Sequence, residues 1–544
     1  MKKSLFAVSM MTLGILYGLL AALAILVCKL CGASALAAVI AAIVAIALQF
    51  LIGPWLTDLS MRWFYKANFK AELPEYLTAF VADVCGRHNM KMPKIGLIDD
   101  GAPNAYTYGR TKNDARVIIT RGTLELLSED EVKAVVAHEL GHASHYDMLF
   151  MTVAQIVPLI MYGIYEACMK AAASDKKSGS RESDSDSKAG TALAVIGIIA
   201  YVLYLICQLI ILWLSRTREY YADEFSVRET GDPEALSQAL VLIGYGLSTI
   251  GKTGTDNRHS AASPTTLGIA DASSSKAMAV CTAGTSDTDT RTIIQNAMKW
   301  DMWNVWAKLY ELGSTHPLIS KRLLAIAALA PEYGQEPYIS FDLEKPESYV
   351  DDFFKEIAIS ALPYLFLIAG IVCCIAVERL RLMWLLGGVA MCLVASLFKF
   401  IYSHPAKCDA KKSVSDLLGE VKVSGITSVP CEVNGEIIGR GNPGCIFNED
   451  FVLQDETGIV MLDYKQPLFI INKIFALFKS EKYFGKITRV EGWYRRNPVP
   501  YVEVKAMETD GKVRKCYTYQ LGLILRAIGT ALAVAGTVIV LIAG

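Results

Sequence analysis

Long apolar runs alternate with mixed polar stretches along this chain. Seven runs reach the ~17–25 residues at which an apolar helix can cross the hydrocarbon of a bilayer. They are Leu5–Cys28, Ala35–Ile52, Leu149–Met169, Thr191–Leu214, Ile357–Val377, Leu382–Phe398 and Ala527–Ala543. The third and fourth would also suit buried helices of a folded domain. Between the second and third the period shortens. Leu77, Phe80, Val81 and Val84 predict a helix over Ala71–His88. Lys94–Ile98, Tyr106–Tyr108 and Val117–Thr120 read as short strands, separated by turn-formers at Gly101 and Lys112-Asn113-Asp114. Ser128-Glu129-Asp130-Glu131 is a capping box, and Val132, Val135, Val136 and Leu140 form an apolar stripe behind it. A helix is therefore expected from about Glu129 to about His145.

The pattern changes again after the sixth run. Leu418–Val423, Phe451–Gln454, Ile459–Leu462, Thr488–Trp493 and Tyr501–Lys505 alternate or are β-branched, with turn signals at Asn434-Gly435 and Asp455-Glu456-Thr457-Gly458. Five or so short strands predict a small β-barrel that resembles OB-like modules. Asn472–Phe484 reads as an amphipathic insert against the bilayer, with Lys473, Lys479 and Lys482 toward headgroups. Trp493-Tyr494-Arg495-Arg496 has the composition of a nucleic-acid stacking surface. Beside membrane spans, contact with protein or lipid headgroups is the expected use. Residues 251–290, rich in Ser, Thr, Ala, Gly and Asp, read as a mobile insert, a candidate lid or self-cleavage site; 175–188 is a second low-complexity loop.

Composition fits a multi-span membrane protein: 53% of residues are hydrophobic and 20% charged. With a net charge of −1, nothing suggests a nucleic-acid partner. The 13 cysteines are scattered, several within apolar runs, so no disulfide framework is expected.

Chemistry concentrates in His138-Glu139-Leu140-Gly141-His142. Residues four apart share a helix face, so His138 and His142 can hold one Zn²⁺ with Glu139 beside it as a base. Downstream, Glu219 and Asp223 are again four apart. Glu219 is the candidate third ligand, leaving one position open to water. Asp223 is the candidate acceptor for the free N–H of a ligating imidazole. Taken alone, that stretch would read as a charged turn at a membrane exit. His145, three residues past His142, is assigned a hydrogen-bonding or exposed role, since Glu219 completes the set.

Four motifs in order carry a resemblance. Pro103-Asn104-Ala105-Tyr106-Thr107-Tyr108-Gly109, then H-E-L-G-H at 138–142, then Glu219-Tyr220-Tyr221-Ala222-Asp223, then Ser314-Thr315-His316-Pro317 with Lys321-Arg322 look like those of the HtpX-type membrane zinc metalloproteases, relatives of the CAAX prenyl endopeptidase. The resemblance covers roughly Met1 to Ala330 and leaves out the insert and the C-terminal third. It implies a zincin-like α+β protease domain with one zinc, and brings His316 and Arg322 near the cleft as candidate oxyanion donors. His316 could instead occupy the zinc as a fourth ligand, and Thr315-His316-Pro317 also suits a plain helix-start turn. A zincin cleft needs an edge strand to hold substrate by strand addition. Asn104–Gly109 is the candidate, with Asn104 and Ala105 as substrate contacts, although a plain hairpin fits that stretch as well.

The expected layout has two spans in 1–53, the protease domain in 54–147 and 215–345, and apolar helices in 148–214. Two further spans follow in 346–402, then the β-module in 406–520 and a last span in 521–544. Lys2 and Lys3 before the first run, and Arg62, Lys66 and Lys70 after the second, place the protease on the cytoplasmic side of a cell membrane, with Arg216 and Arg218 keeping Glu219 there too. The expected activity is hydrolysis of misfolded or membrane-embedded polypeptides. Expected partners are those substrates, membrane lipids and proteins recruited by the β-module. The competing class is a non-catalytic scaffold with a structural metal site, against which an intact Glu139 argues.

Overall fold

The computed structural model describes residues 5–31, 44, 51–63, 65–99, 104–177, 184–249, 287–341, 344–345, 347–377, 381–406, 411–440, 449–497 and 499–543. The chain forms two compact units. Among the described residues, the first runs to Leu240 and includes Glu311–Tyr338; the second takes Val241 to Tyr310 and Ile339 onward. The insert at 251–290 and the second apolar run, Ala35–Ile52, lie almost entirely outside the described residues.

In the first unit, helices α1 (Leu5–Cys31), α6 (Asp147–Lys177) and α7 (Asp184–Thr230) pack through Leu16, Leu23, Val157, Met161, Cys207 and Ile211. Their outward residues, including Leu159, Ile198, Val202 and Leu209, stay exposed and apolar. A helix bundle in water would bury such a face, whereas one in lipid presents it. Beside these helices sits a small α+β layer. Strands β1 (Lys94–Ile98), β2 (Ala105–Gly109) and β3 (Ala115–Thr120) form a sheet in the order β1-β3-β2, with β1 parallel and β2 antiparallel to β3. All three strands match runs read from the sequence. Helix α2 (51–63) anchors the sheet: Asp58 accepts from the Tyr108 hydroxyl at 2.8 Å and pairs with Arg116 at 3.1 Å. Helices α3 (Glu75–Arg87), α4 (Arg121–Leu126) and α5 (Glu129–Ser144) complete the layer. The capping box at α5 forms as expected, Ser128 accepting from Glu131 N–H while the Glu131 carboxylate takes the Ser128 N–H.

Gly141 sets how closely α5 crosses α7. A Cβ there would stand 3.2 Å from Ala222 Cα and from Phe225 Cβ, so a larger residue would push the helices apart. Helix α8 (Pro233–Thr249) follows α7, with Asp232 accepting from the Ala235 N–H at 3.1 Å. The chain returns to this unit through the end of α10 (Val305–Leu312), α11 (Ile319–Ala327) and a 3₁₀ turn at Ala330–Tyr333.

The second unit holds α9 (Asp287–Trp303), a hairpin of α12 (Val350–Ala376) and α13 (Arg381–Tyr402), the short α14 (Val414–Leu418), a β-barrel and α16 (Thr518–Ala543). Strands β4 (Val429–Arg440), β5 (Phe451–Gln454), β6 (Ile459–Asp463), β7 (Ile487–Asn497), β8 (Val499–Thr509) and β9 (Lys512–Lys515) pair in the order β6-β5-β4-β7-β8-β9. A parallel pairing of β6 with β8 closes five of them into a barrel. With α15 (Phe469–Phe478) between the third and fourth barrel strands, this is the OB connectivity.

Three details differ from the sequence reading. Asn434-Gly435 is no turn but the middle of β4; a Cβ on Gly435 would meet Gln454 O at 2.3 Å, so the glycine serves close strand approach. Leu418–Val423 is no strand; its Val421 and Val423 carbonyls accept from Asn304 Nδ2 and Trp300 Nε1 at 2.7 Å instead of from a ladder. The basic-aromatic stretch is internal. Trp493, Tyr494, Arg495 and Arg496 are all buried, Arg496 lying over the Trp300 ring and bonding Asp301 at 2.9 Å, so it offers a surface to neither nucleic acid nor headgroups.

Six described helices are long and apolar enough to cross a membrane: Leu5–Ala24, Asp147–Ala173, Gly190–Thr230, Val350–Ala376, Arg381–Tyr402 and Thr518–Ile542. They coincide with all the expected runs but the second.

Candidate active site

Helix α5 carries His138, Glu139 and His142 into the interior, and α7 crosses it to bring Glu219 and Asp223 opposite. The two imidazoles meet edge to face with their Nε2 atoms 3.1 Å apart. Glu219 completes the group, Oε2 standing 3.6 Å from His138 Nε2 and Oε1 3.5 Å from His142 Nε2. Two atoms each bound ~2.0–2.1 Å from a tetrahedral ion stand about 3.3–3.4 Å apart, so the donor set fits such an ion. Glu219 Oε2 is buried without a hydrogen-bond partner among the described residues, an acceptor that a cation would satisfy.

Each imidazole is held from behind. His138 Nδ1 lies 2.9 Å from Asp223 Oδ1, and His142 Nδ1 lies 2.7 Å from Asp147 Oδ2. Such contacts fix the tautomer that leaves Nε2 free to ligate. The carboxylates are themselves paired: Arg322 bonds Asp223 through Nε at 2.9 Å and Nη2 at 2.6 Å, and Arg218 reaches Asp147 at 2.6 Å. Burial works against a charge on His142, but the Asp147 hydrogen bond and the negative Glu219 outweigh it and lift the imidazole to about 9. Burial pushes the Glu139 carboxyl above its usual range, opposed by the two histidines.

A cavity of about 410 Å³ opens on this cluster. Glu139, His142, Glu219, Asp147 and His316 line it, together with Thr107, Tyr108 and Gly109 of β2. β2 is the edge strand of its sheet, and its Thr107 hydroxyl donates to the Glu139 carbonyl at 3.1 Å. Asn104 and Ala105 stand at the other end of β2. The Asn104 backbone N–H donates to Thr120 and Thr123, and the Ala105 side chain is buried. His316 Nε2 lies 3.6 Å from Glu219 Oε1, and its Nδ1 is 2.9 Å from the Thr315 hydroxyl. Arg322 is wholly buried, with Nη1 3.5 Å from Glu219 Oε2. His145 turns away, its ring against Phe225 at 5.7 Å.

Three contributors were not assigned from the sequence. Asp147 and Arg218 form the pair behind His142, and Arg216 donates to the Glu311 and Ser314 carbonyls at 2.7 Å, fixing the loop that bears His316. The available signal was charge at the inner ends of two apolar helices, where an ion must find a partner.

Residues 72–330 match peptidase family M48. A "Protease HtpX homolog" of Methanothermobacter thermautotrophicus is 37% identical over 237 residues, covering 43% of this chain and 84% of the relative. Another, from Aeropyrum pernix, is 29% identical over 289 residues, covering 53% and 84%. The crystal structure of S. mikatae Ste24p aligns with a TM-score of 0.31 at 20% identity, over 44% of this chain and 59% of that one. The chain belongs to peptidase family M48. It is a membrane metallopeptidase, similar to the HtpX proteases, with an added OB barrel.

Proposed function

We propose that the protein is a zinc endopeptidase of the cell membrane, its protease face in the cytoplasm, that degrades misfolded or membrane-embedded polypeptides. His138, His142 and Glu219 would hold one zinc ion. A zinc ion there would act as a Lewis acid on the scissile carbonyl and lower the pKa of water. Glu139, in the cavity wall beside His142, takes the proton from the attacking water and returns it to the leaving amine. Asp223 and Asp147 keep the imidazoles aimed, with Arg322 and Arg218 holding those carboxylates in place. His316, in the wall next to Glu219, donates toward the carbonyl oxygen as negative charge develops, and Arg322 adds positive charge behind it.

Substrate is held in extended form along the edge of β2, the Thr107–Gly109 end nearest the cluster, with the Ala105 main chain and the Asn104 side chain as contacts further along. Strand addition reads main chain, which suits a protease of broad substrate range. The cytoplasmic placement is supported by Lys2, Lys3, Arg62, Lys66 and Lys70 flanking the first two apolar runs. The β-module is assigned to recruiting protein partners.

The observation that carries the reading is the convergence of two α5 imidazoles and the α7 carboxylate within 4.8 Å at the wall of a cavity. Its test uses detergent-purified full-length protein, comparing wild type with Glu139→Gln for zinc content and casein cleavage. Cleavage should fall about 10²–10⁴-fold with one zinc per chain retained. Equal cleavage by the two proteins, or zinc-loaded wild type without activity, would favour the scaffold reading.

A further inference from the structure

Helix α15 wears its hydrophobicity on the outside. Asn472, Phe475 and Ala476 face the barrel, while Phe469, Ile470, Ile471, Ile474, Leu477 and Phe478 point away from it. Phe469, Ile470 and Phe478 are each about 70% exposed. A helix on a barrel in water would show the reverse pattern.

The tether of this helix says what covers that face. Gln466, just before α15, accepts the Tyr517 N–H through Oε1 at 3.3 Å and donates from Nε2 to the Lys515 carbonyl at 2.9 Å. Its own N–H donates to Asn472 Oδ1 in α15 at 2.8 Å, and the Thr518 hydroxyl donates to the Lys465 carbonyl at 2.6 Å. One residue thus ties α15 to the first turn of α16, which is itself a membrane span.

The level of the bilayer on α16 can be placed. From Leu521 to Ile542 the helix is exposed or partly exposed and, Arg526 apart, uncharged for ~33 Å, matching the ~30 Å hydrocarbon thickness. Arg526 bends back one turn to bond the Gly522 carbonyl at 3.0 Å, as a cation does when it reaches for the headgroups. Tyr519, partly exposed near the start of the span, stacks with Phe400 at 5.6 Å, a position tyrosine favours at membrane interfaces. Thr518, to which α15 is tied, stands only ~6 Å above Gly522 along the helix. An adjoining helix ~10 Å across therefore meets the hydrocarbon boundary. Lys479 and Lys482, both exposed, follow the apolar face at headgroup height.

We propose that α15 is an interfacial helix that seats the OB barrel on the bilayer, its outer face sunk among the acyl chains of the leaflet where α16 begins. The barrel is thereby held in one orientation, with the β5–β6 turn at Asp455–Gly458 directed away from the lipid. That turn lies at the far end of β6 from Lys465, ~20 Å along the strand.

The test is photocrosslinking of the full-length protein in phosphatidylcholine–phosphatidylglycerol liposomes. p-Benzoylphenylalanine replaces Ile470 or Phe478, or Glu456 in the β5–β6 turn as the control; all three side chains are exposed, so core packing is untouched. Intact-mass spectra after irradiation should show addition of one phospholipid at positions 470 and 478, at least about tenfold above position 456. Crosslinks joining those positions to a second copy or another polypeptide would overturn the proposal, as would phospholipid addition equal to that at position 456.

Discussion

Arg322→Ala offers the sharpest examination of how the site is built. The guanidinium is wholly buried and makes two bonds to Asp223, which is itself 2% exposed. Each charge-assisted bond is worth ~1.5–3 kcal/mol, and breaking a buried pair from one side costs about 3–5 kcal/mol. Alanine leaves the Asp223 carboxylate in the interior without its counter-ion, so the thermal midpoint should fall by on the order of 10 °C. Lysine restores the charge but not the fork that engages both carboxylate oxygens, and should recover only part of that loss. The double change Asp223→Leu with Arg322→Met removes both ions and fills the space, so stability should return. Zinc affinity should not, because His138 has lost the carboxylate that aims it, and ~10–100-fold weakening is expected. Both quantities can be read on detergent-purified protein, by thermal melts with metal removed and by competition with a chromophoric chelator. If the double variant binds zinc like wild type, Asp223 does not orient His138. If Arg322→Ala melts normally, the pair is not the buried structural ion pair described above.

Asp147→Asn should weaken zinc binding ~10–100-fold and also lower stability, because Arg218, 2% exposed, loses its counter-charge; chelator competition and melts would show both, and unchanged affinity would remove Asp147 from the site. Gly141→Leu should separate α5 from α7 and cost ~1–3 kcal/mol, with loss of retained zinc at near-native helix content by circular dichroism. In the barrel, burial would raise the Glu503 carboxyl, but the His404 hydrogen bond and the Arg495 charge overcome it and hold the group down at about 2. A depressed carboxylate stabilises the fold above its unfolded value of ~4.3 and loses that contribution as pH falls toward about 2. Glu503→Gln should therefore be less stable than wild type at pH 7, by at most ~3 kcal/mol, and the gap should close between pH 4.5 and 2. A gap independent of pH would refute the assignment.

Much of this was legible from short-range pattern. The capping box at Ser128, the stripe behind it and the three strands β1–β3 follow from local rules, and the structure keeps them within a residue or two at most ends. His138 and His142 had to share a face once α5 was a helix. Glu219 was reachable because it repeats the spacing of four with Asp223, although the crossing of α5 and α7 that joins them is tertiary. What stayed hidden depends on partners distant in sequence. Asp147 gains meaning only with Arg218 behind it, 71 positions on. Arg216 looked like a membrane-flanking charge and instead holds the His316 loop. The Asn434-Gly435 pair has turn chemistry, but proximity to β5 makes it strand. Arg495 and Arg496 looked like surface, because nothing local announces that they are buried and paired with Glu503 and Asp301.

The proposed third metal donor sits on the same unbroken helix as a stretch long and apolar enough to span a membrane, since α7 runs from Asp184 to Thr230 without interruption. Glu219 follows Leu214 by little more than one turn, ~7–8 Å along the axis. Tilt imposed by a thinner leaflet, or a piston-like slip of one residue, would carry the carboxylate ~1.5 Å relative to the imidazoles on α5. If Glu219 holds the metal, a shift of this span along its own axis would move that donor with it.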